Sequence, residues 1–442
     1  MIFQSIKRNT LNNNTILQLV VLGLIGIGSI YWFIYLQKRN QEIYWKRNVF
    51  GDASGYFVYL PSTFIYQFNV TEFEKKFENR INAKGEVEEV GCGFRIEDNR
   101  IITKYFYGIA LLQAPIYTLI HAGYRIAGIN GDGFNGLYEH TTIISAIIYY
   151  ILSLILLYKL IKKRTNGLIA LTSLLFTVFA TNVIYYFAAN PGYTHAYSFF
   201  LFTAFLYVSN RFSEKQTSIY STFLFIVVGI IAITRPVNLI FVLSFFIDNN
   251  FRNFAKLISP KNLLIGIIIV VALVFPQLYY YKYAYGNWFH YAYQNETFTN
   301  LLNPSLIKFY FSTNNGLFIY NPIWIVLLGS TIWLLFTKHR RYAIISLALF
   351  IINSYLCSSW HMWNFGCSYG SRNFVEYASI FSFAFAYILL ELRSRWKIIT
   401  IIAVSIIFCF FNLVFVRNFD KCYFGANDWD FKFVKDKYLR ID

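Results

Sequence analysis

The chain has 442 residues, of which 57% are hydrophobic and 14% charged, with a net charge of +17. Several apolar runs reach the roughly 20 residues needed to cross a bilayer, and no soluble stretch is long enough for a large core of its own. The basic residues fall in short clusters between those runs, a pattern of topology and anionic-lipid contact that excludes nucleic acid as the partner.

The first predicted span is Thr15–Leu36, with Lys7 and Arg8 before it; it lacks a small-x-small cleavage site and reads as a retained anchor. Gly23, Gly26 and Gly28 within it follow no strand, so they suit helix packing better than a nucleotide loop. A first extracytoplasmic segment, 37–140, comes next. It holds the stretch Asn48–Phe68, in which Asp52 stands before an apolar-aromatic face, Tyr56 to Phe68, broken by Pro61. That face suits a helix lying along the bilayer surface. A charged region from Glu72 to Glu89 separates it from Phe106–Ile126, an apolar run carrying Pro115, His121 and Arg125.

Further runs are Thr141–Ile161, Leu168–Ala188, Tyr193–Val208, Thr217–Ile247, Leu263–Tyr283, Leu317–Phe336, Ala343–Cys357, Val375–Leu390 and Ile398–Val416. Thr217–Ile247 would make a straight helix of about 46 Å against a hydrocarbon core of about 30 Å, and Arg235-Pro236 interrupts it. It therefore reads as two short helices, and Phe106–Ile126 as a re-entrant or surface helix. The expected fold is all-α: one polytopic membrane domain over 1–442, with about 11 transmembrane helices and a short outer tail, 417–442. This topology gathers the basic clusters at 162–164, 252–261, 338–341 and 393–397 on the cytoplasmic side. The polar segments 37–140, 189–195, 285–316 and 358–374 share the outer face, so an active site is expected there.

Asp52 has Ser54 two residues on, so no Asp-x-Asp metal pair forms. A lone carboxylate can serve as general base toward a hydroxyl or amine, and partial desolvation would raise its basicity. The alternative is a cap for the helix that follows. Arg235 lies inside an apolar run, where a charge is costly; it either pairs with a phosphate or carboxylate ligand or forms a structural ion pair with an acid such as Glu139. Lys104-Tyr105 sits where the outer segment re-enters the membrane, where it either meets a phosphate or snorkels. His195, after Asn190-Pro-Gly, is either a hydrogen-bonding ligand contact or a core histidine.

Ser358–Tyr377 is the second dense stretch. Trp360, Trp363 and Tyr369 can stack on a sugar or head group, His361 lies among them, and Gly366 and Gly370 permit close backbone approach. Arg372 can fork onto a phosphate, with Glu376 one helical turn on to hold it. The bland reading of the aromatics is an interfacial belt. The six histidines show no metal-ligand spacing, and neither a metal nor a cofactor is expected. The five cysteines form no CxxC pair; Cys92 and Cys422 are either a disulfide or two unrelated thiols.

Taken together, Gly51-Asp52, Lys104 to His121, Thr194 to Phe200, Thr234 to Asn238, Tyr320-Asn321-Pro322 and Gly370-Ser371-Arg372 resemble the GT-C superfamily of membrane glycosyltransferases. More narrowly, they are similar to its bacterial protein mannosyltransferase-like and lipid A sugar transferase-like branch. The resemblance implies transfer of a sugar, usually with inversion, from a polyprenyl-phosphate donor to a lipid, glycan or protein acceptor. It places the protein in a bacterial inner membrane with its site facing the periplasm or exterior, surrounded by membrane lipids. It also implies that Asp52 deprotonates the acceptor and makes Lys104, Arg235 and Arg372 candidates for the donor phosphate. Two other readings compete: a transporter or flippase of a lipid-linked glycan, and a non-catalytic scaffold. Transport predicts polar residues through the whole membrane depth, whereas here they concentrate on one face.

Overall fold

The computed structural model describes residues 2–41, 48–73, 93–134, 136–419 and 427–440, without the side chains of 2–14 and 41. Nearly all regular structure among them is helical. Helices long and apolar enough to cross a membrane occupy Thr15–Asn40, Gly136–Arg164, Pro260–Tyr285, Arg340–Ser359 and Arg395–Asn418. Shorter apolar helices of 10–17 residues stand beside these in the sequence. The chain is thus a helical protein with several segments suited to a bilayer, where backbone groups must be satisfied internally. Gly108–Ile126 is not among the helices that meet the length and apolarity of a span.

The helix boundaries follow local chemistry. Asn166 caps Gly167–Phe179, its side chain accepting from Ile169 N at 2.9 Å. Pro260 opens the helix that ends at Tyr285, and Gly286 closes it at φ 78°. The Arg235-Pro236 break appears as expected: an α-helix over Ser218–Thr234 gives way to a 3-10 helix over Pro236–Ile247. Two other predicted runs also break. Leu168–Ala188 divides into Gly167–Phe179 and Val183–Ala188, and Leu317–Phe336 divides at Asn321-Pro322.

The chain divides into two compact units, one of residues 37–151 and 186–296, the other of 1–36, 152–185 and 297–442. In the first, Phe94–Glu97 and Arg100–Thr103 form an antiparallel hairpin, an exception to the all-α expectation. Asp98 and Asn99 turn it at φ 49° and 61°, the two positive values that a tight hairpin turn demands. The expected surface helix over Tyr56–Phe68 is corrected. Two short helices, Asp52–Phe57 and Tyr59–Phe64, lie there instead, and every residue from Ala53 to Ser62 is buried. Their rings pack inward: Phe57 meets Tyr117 at 5.7 Å and Tyr59 meets Tyr280 at 4.8 Å. Pro61 does not break the stretch; the discontinuity falls at Val58, and the proline sits in the first turn of the second helix, where its missing N–H costs nothing.

In the second unit, Asn412 joins four segments. Its amide donates to Phe179 O at 2.8 Å and Thr181 O at 2.9 Å, and its oxygen accepts from Asn321 at 2.7 Å and from the Tyr369 hydroxyl at 2.8 Å. All three side chains are fully buried. The carbonyls that Asn412 reaches are those left over where the Leu168–Ala188 run breaks, so a buried amide completes the helix ends there.

Candidate functional site

The hairpin sets the position of Lys104 and Tyr105, which follow its second strand directly. Thr103 anchors that strand end, its hydroxyl shared between the carbonyls of Gly55 and Gly93, each 3.0 Å away. Tyr59 donates to Tyr105 O at 2.7 Å, and the Tyr105 ring lies against Tyr56 with centroids 4.6 Å apart. The room for that ring comes from Gly55, where an added Cβ would stand 2.2 Å from it. So fixed, the Tyr105 hydroxyl donates to Asp52 Oδ1 at 2.6 Å.

Asp52 is the first helical residue, and Gly51, at φ 57°, holds the N-cap position. The capping alternative for Asp52 is therefore set aside: it lies one residue too late, and its Oδ1 is engaged by a phenol. Burial first, and then the Asp52 carboxylate, hold the Tyr105 phenol well above its ordinary value, so it remains a neutral donor.

Lys104 Nζ pairs with the Glu296 carboxylate and stands 5.6 Å above the Tyr105 ring and 5.5 Å above the Tyr293 ring. Tyr293 and Glu296 come from one turn. Gln294 N donates to Tyr291 O at 3.1 Å and Glu296 N to Tyr293 O at 2.9 Å, with Gln294 in the left-handed region at φ 51°. The Tyr293 phenol is raised by burial, with Arg235 acting against that and Asp52 and Glu296 adding to it. All three charges therefore bear on one ring. Arg235 reaches this place because the Gly108–Ile126 helix starts against the end of Ser218–Thr234: a Cβ on Gly108 would lie 2.5 Å from Ile233 O.

The structure thus brings together Asp52, Lys104, Tyr105 and Arg235 from the sequence reading, and adds Tyr56, Tyr293 and Glu296. The three additions lie in polar, tyrosine-rich segments; Glu296 was legible only as an acid in an acid-poor loop. Asp52, Lys104, Arg235 and Glu296 are each partly exposed. The cluster sets two carboxylates and two cations among tyrosine rings.

Glu139 and His195 belong to the same unit as this cluster. Glu139 ends the 3-10 turn Gly136–Glu139 ahead of the helix that starts at His140. His195 is only 2% exposed and meets Tyr186 edge-on at 5.3 Å, which favours its core alternative over a ligand contact. His361, Tyr369, Arg372 and Glu376 belong to the other unit. His361 N donates to Thr297 O at 2.9 Å, and its ring lies beside Trp360. Tyr369 is corrected from a stacking platform to a packing residue: it is fully buried and bonded to Asn412. Arg372–Phe374 is a 3-10 helix and 375–377 a turn, so Arg372 and Glu376 do not share one regular α-helical face. Arg372 lies over the Phe365 ring at 5.7 Å, and Glu376 is fully buried. Gly370, at φ 62°, does permit a close approach: a Cβ there would come within 2.9 Å of Tyr320. Among the described residues, no group of His, Cys, Asp and Glu could hold a metal ion.

The expected question of a Cys92–Cys422 pair lies outside the described residues, while Cys367 is disulfide-bonded and Cys357 and Cys409 are free. Comparison of the chain with protein-family models gives no match, and comparison with curated proteins gives none either.

Proposed function

We propose that the protein is a GT-C-type glycosyltransferase that moves a sugar from a polyprenyl-phosphate donor to an acceptor hydroxyl or amine. The observation that carries this reading is the gathering of Asp52, Lys104 and Arg235 around Tyr105 and Tyr293. In the step, the acceptor heteroatom bonds to the anomeric carbon and gives its proton to Asp52. The bond from that carbon to the phosphate oxygen breaks, and its electron pair stays on the polyprenyl phosphate. Lys104 and Arg235 offset the charge the phosphate gains, without a metal. Tyr105 holds Asp52 in one orientation, and the tyrosine faces give the sugar a surface to stack on.

The site faces outward from a bacterial inner membrane crossed by about 11 helices. The disulfide at Cys367, in a segment expected outside, supports an oxidising compartment on that side.

The test is transfer by membranes carrying Asp52→Asn, supplied with labelled polyprenyl-phosphate sugars and envelope lipid acceptors. A general base contributes about 10²–10⁴-fold, and a loss of that size in a folded protein is the expected result. Transfer at the unmodified rate would remove Asp52 as the base.

A further inference from the structure

Resting on that reading, we propose that Glu296 is a resident counter-anion that the donor phosphate displaces from Lys104, and that returns to help expel the product. The juxtaposition is simple. Among the described residues, the Glu296 carboxylate pairs with Lys104 alone, while its backbone N–H and carbonyl are held in the 291–296 turn by Tyr293 O and by the Tyr291 hydroxyl. The carboxylate can therefore swing off Lys104 without unmaking the turn.

The pair is built to exchange. Both side chains are about a third exposed (32% and 37%), and ion pairs of that exposure contribute up to about 1 kcal/mol. Lys104 keeps its place when the carboxylate leaves, because the faces of Tyr105 and Tyr293 hold the ammonium from two sides.

The charges also balance through the reaction. At rest, Lys104 and Arg235 stand against Asp52 and Glu296. A sugar phosphodiester carries one negative charge and takes the place of one carboxylate. The leaving polyprenyl phosphate gains a second charge as the bond breaks, and Lys104 and Arg235 together match it. Return of Glu296 to Lys104 then competes with that product.

The experiment uses the full chain in phosphatidylcholine nanodiscs, titrated with polyprenyl phosphate and separately with inorganic phosphate. Glu296→Gln keeps the shape and removes the competing charge; it should tighten polyprenyl phosphate binding about threefold to fivefold, the opposite of what loss of a structural contact would do. The gain should vanish when Lys104→Met is also present. Unchanged or weaker binding by Glu296→Gln overturns the exchange, as does a gain that survives the loss of Lys104. A gain for polyprenyl phosphate, with or without one for inorganic phosphate, supports it, and a gain for inorganic phosphate alone overturns the lipid source. If the unmodified chain binds polyprenyl phosphate and Glu296→Gln adds nothing, only the exchange fails. If neither binds the lipid at all, the glycosyl-transfer reading fails with it.

Discussion

The Asp52 cluster of one unit and the Asn412 cluster of the other are both dense in polar and aromatic side chains, yet they are opposite kinds of structure. Around Asn412 every hydrogen bond runs between fully buried groups, so the polar atoms satisfy one another and the broken helix ends. Around Asp52 the carboxylate, the cations and Glu296 remain partly exposed, with rings rather than amides holding them in place. Density of polar and aromatic residues marks both; residual exposure of the charges separates the site from the staple.

Substitutions at Asp52 and Asn412 themselves should separate the two clusters most clearly. Asp52→Asn should remove transfer by about 10²–10⁴-fold with the thermal midpoint in detergent unchanged. Asn412→Leu should do the reverse, costing about 2–5 kcal/mol because two buried carbonyls lose their donor, with the remaining folded protein still able to bind donor. A variant of Asn412 that kept full stability would show that those carbonyls have other partners. Next in size, Arg235→Gln should cut transfer about tenfold to a hundredfold, seen in kcat more than in KM if the arginine meets charge that develops late. Tyr369→Phe should cost about 1 kcal/mol in unfolding and leave transfer alone.

The smallest effect is on pH. The Tyr59 and Tyr105 phenols are both raised, first by burial and then by neighbouring Tyr280 and Asp52 respectively. A raised folded value means the contribution is complete below the ordinary phenol value of about 10 and fades as pH climbs through the higher folded value. Unfolding midpoints should therefore fall above that pH, and Tyr105→Phe should make the fall shallower.

Much of the helical layout was legible because long apolar runs leave few alternatives, and Arg235-Pro236 announced its own break by joining a costly charge to a missing donor. Asp52, Lys104, Tyr105 and Arg235 stood out because each was a polar group at an apolar margin. Tyr293 and Glu296 did not, since a turn has no periodicity to say which way its side chains point. Tyr369 misled for a related reason: a tyrosine between two glycines looks exposed, and only the Asn412 oxygen explains why it is not. The hairpin was hidden by its length, eight strand residues in a segment dominated by helices.

Gly55 and Gly93 meet so closely that a methyl group on either would lie 2.4 Å or less from the other's backbone, with the Thr103 hydroxyl bridging their carbonyls. Positions this far apart in sequence are thereby tied into a single constraint. Chains descended from the same ancestor that keep the carboxylate beside the phenol must keep both residues small or change them together. That pair, set beside Gly-Asp and Lys-Tyr, is a fingerprint by which distant kin could be found after overall similarity has faded.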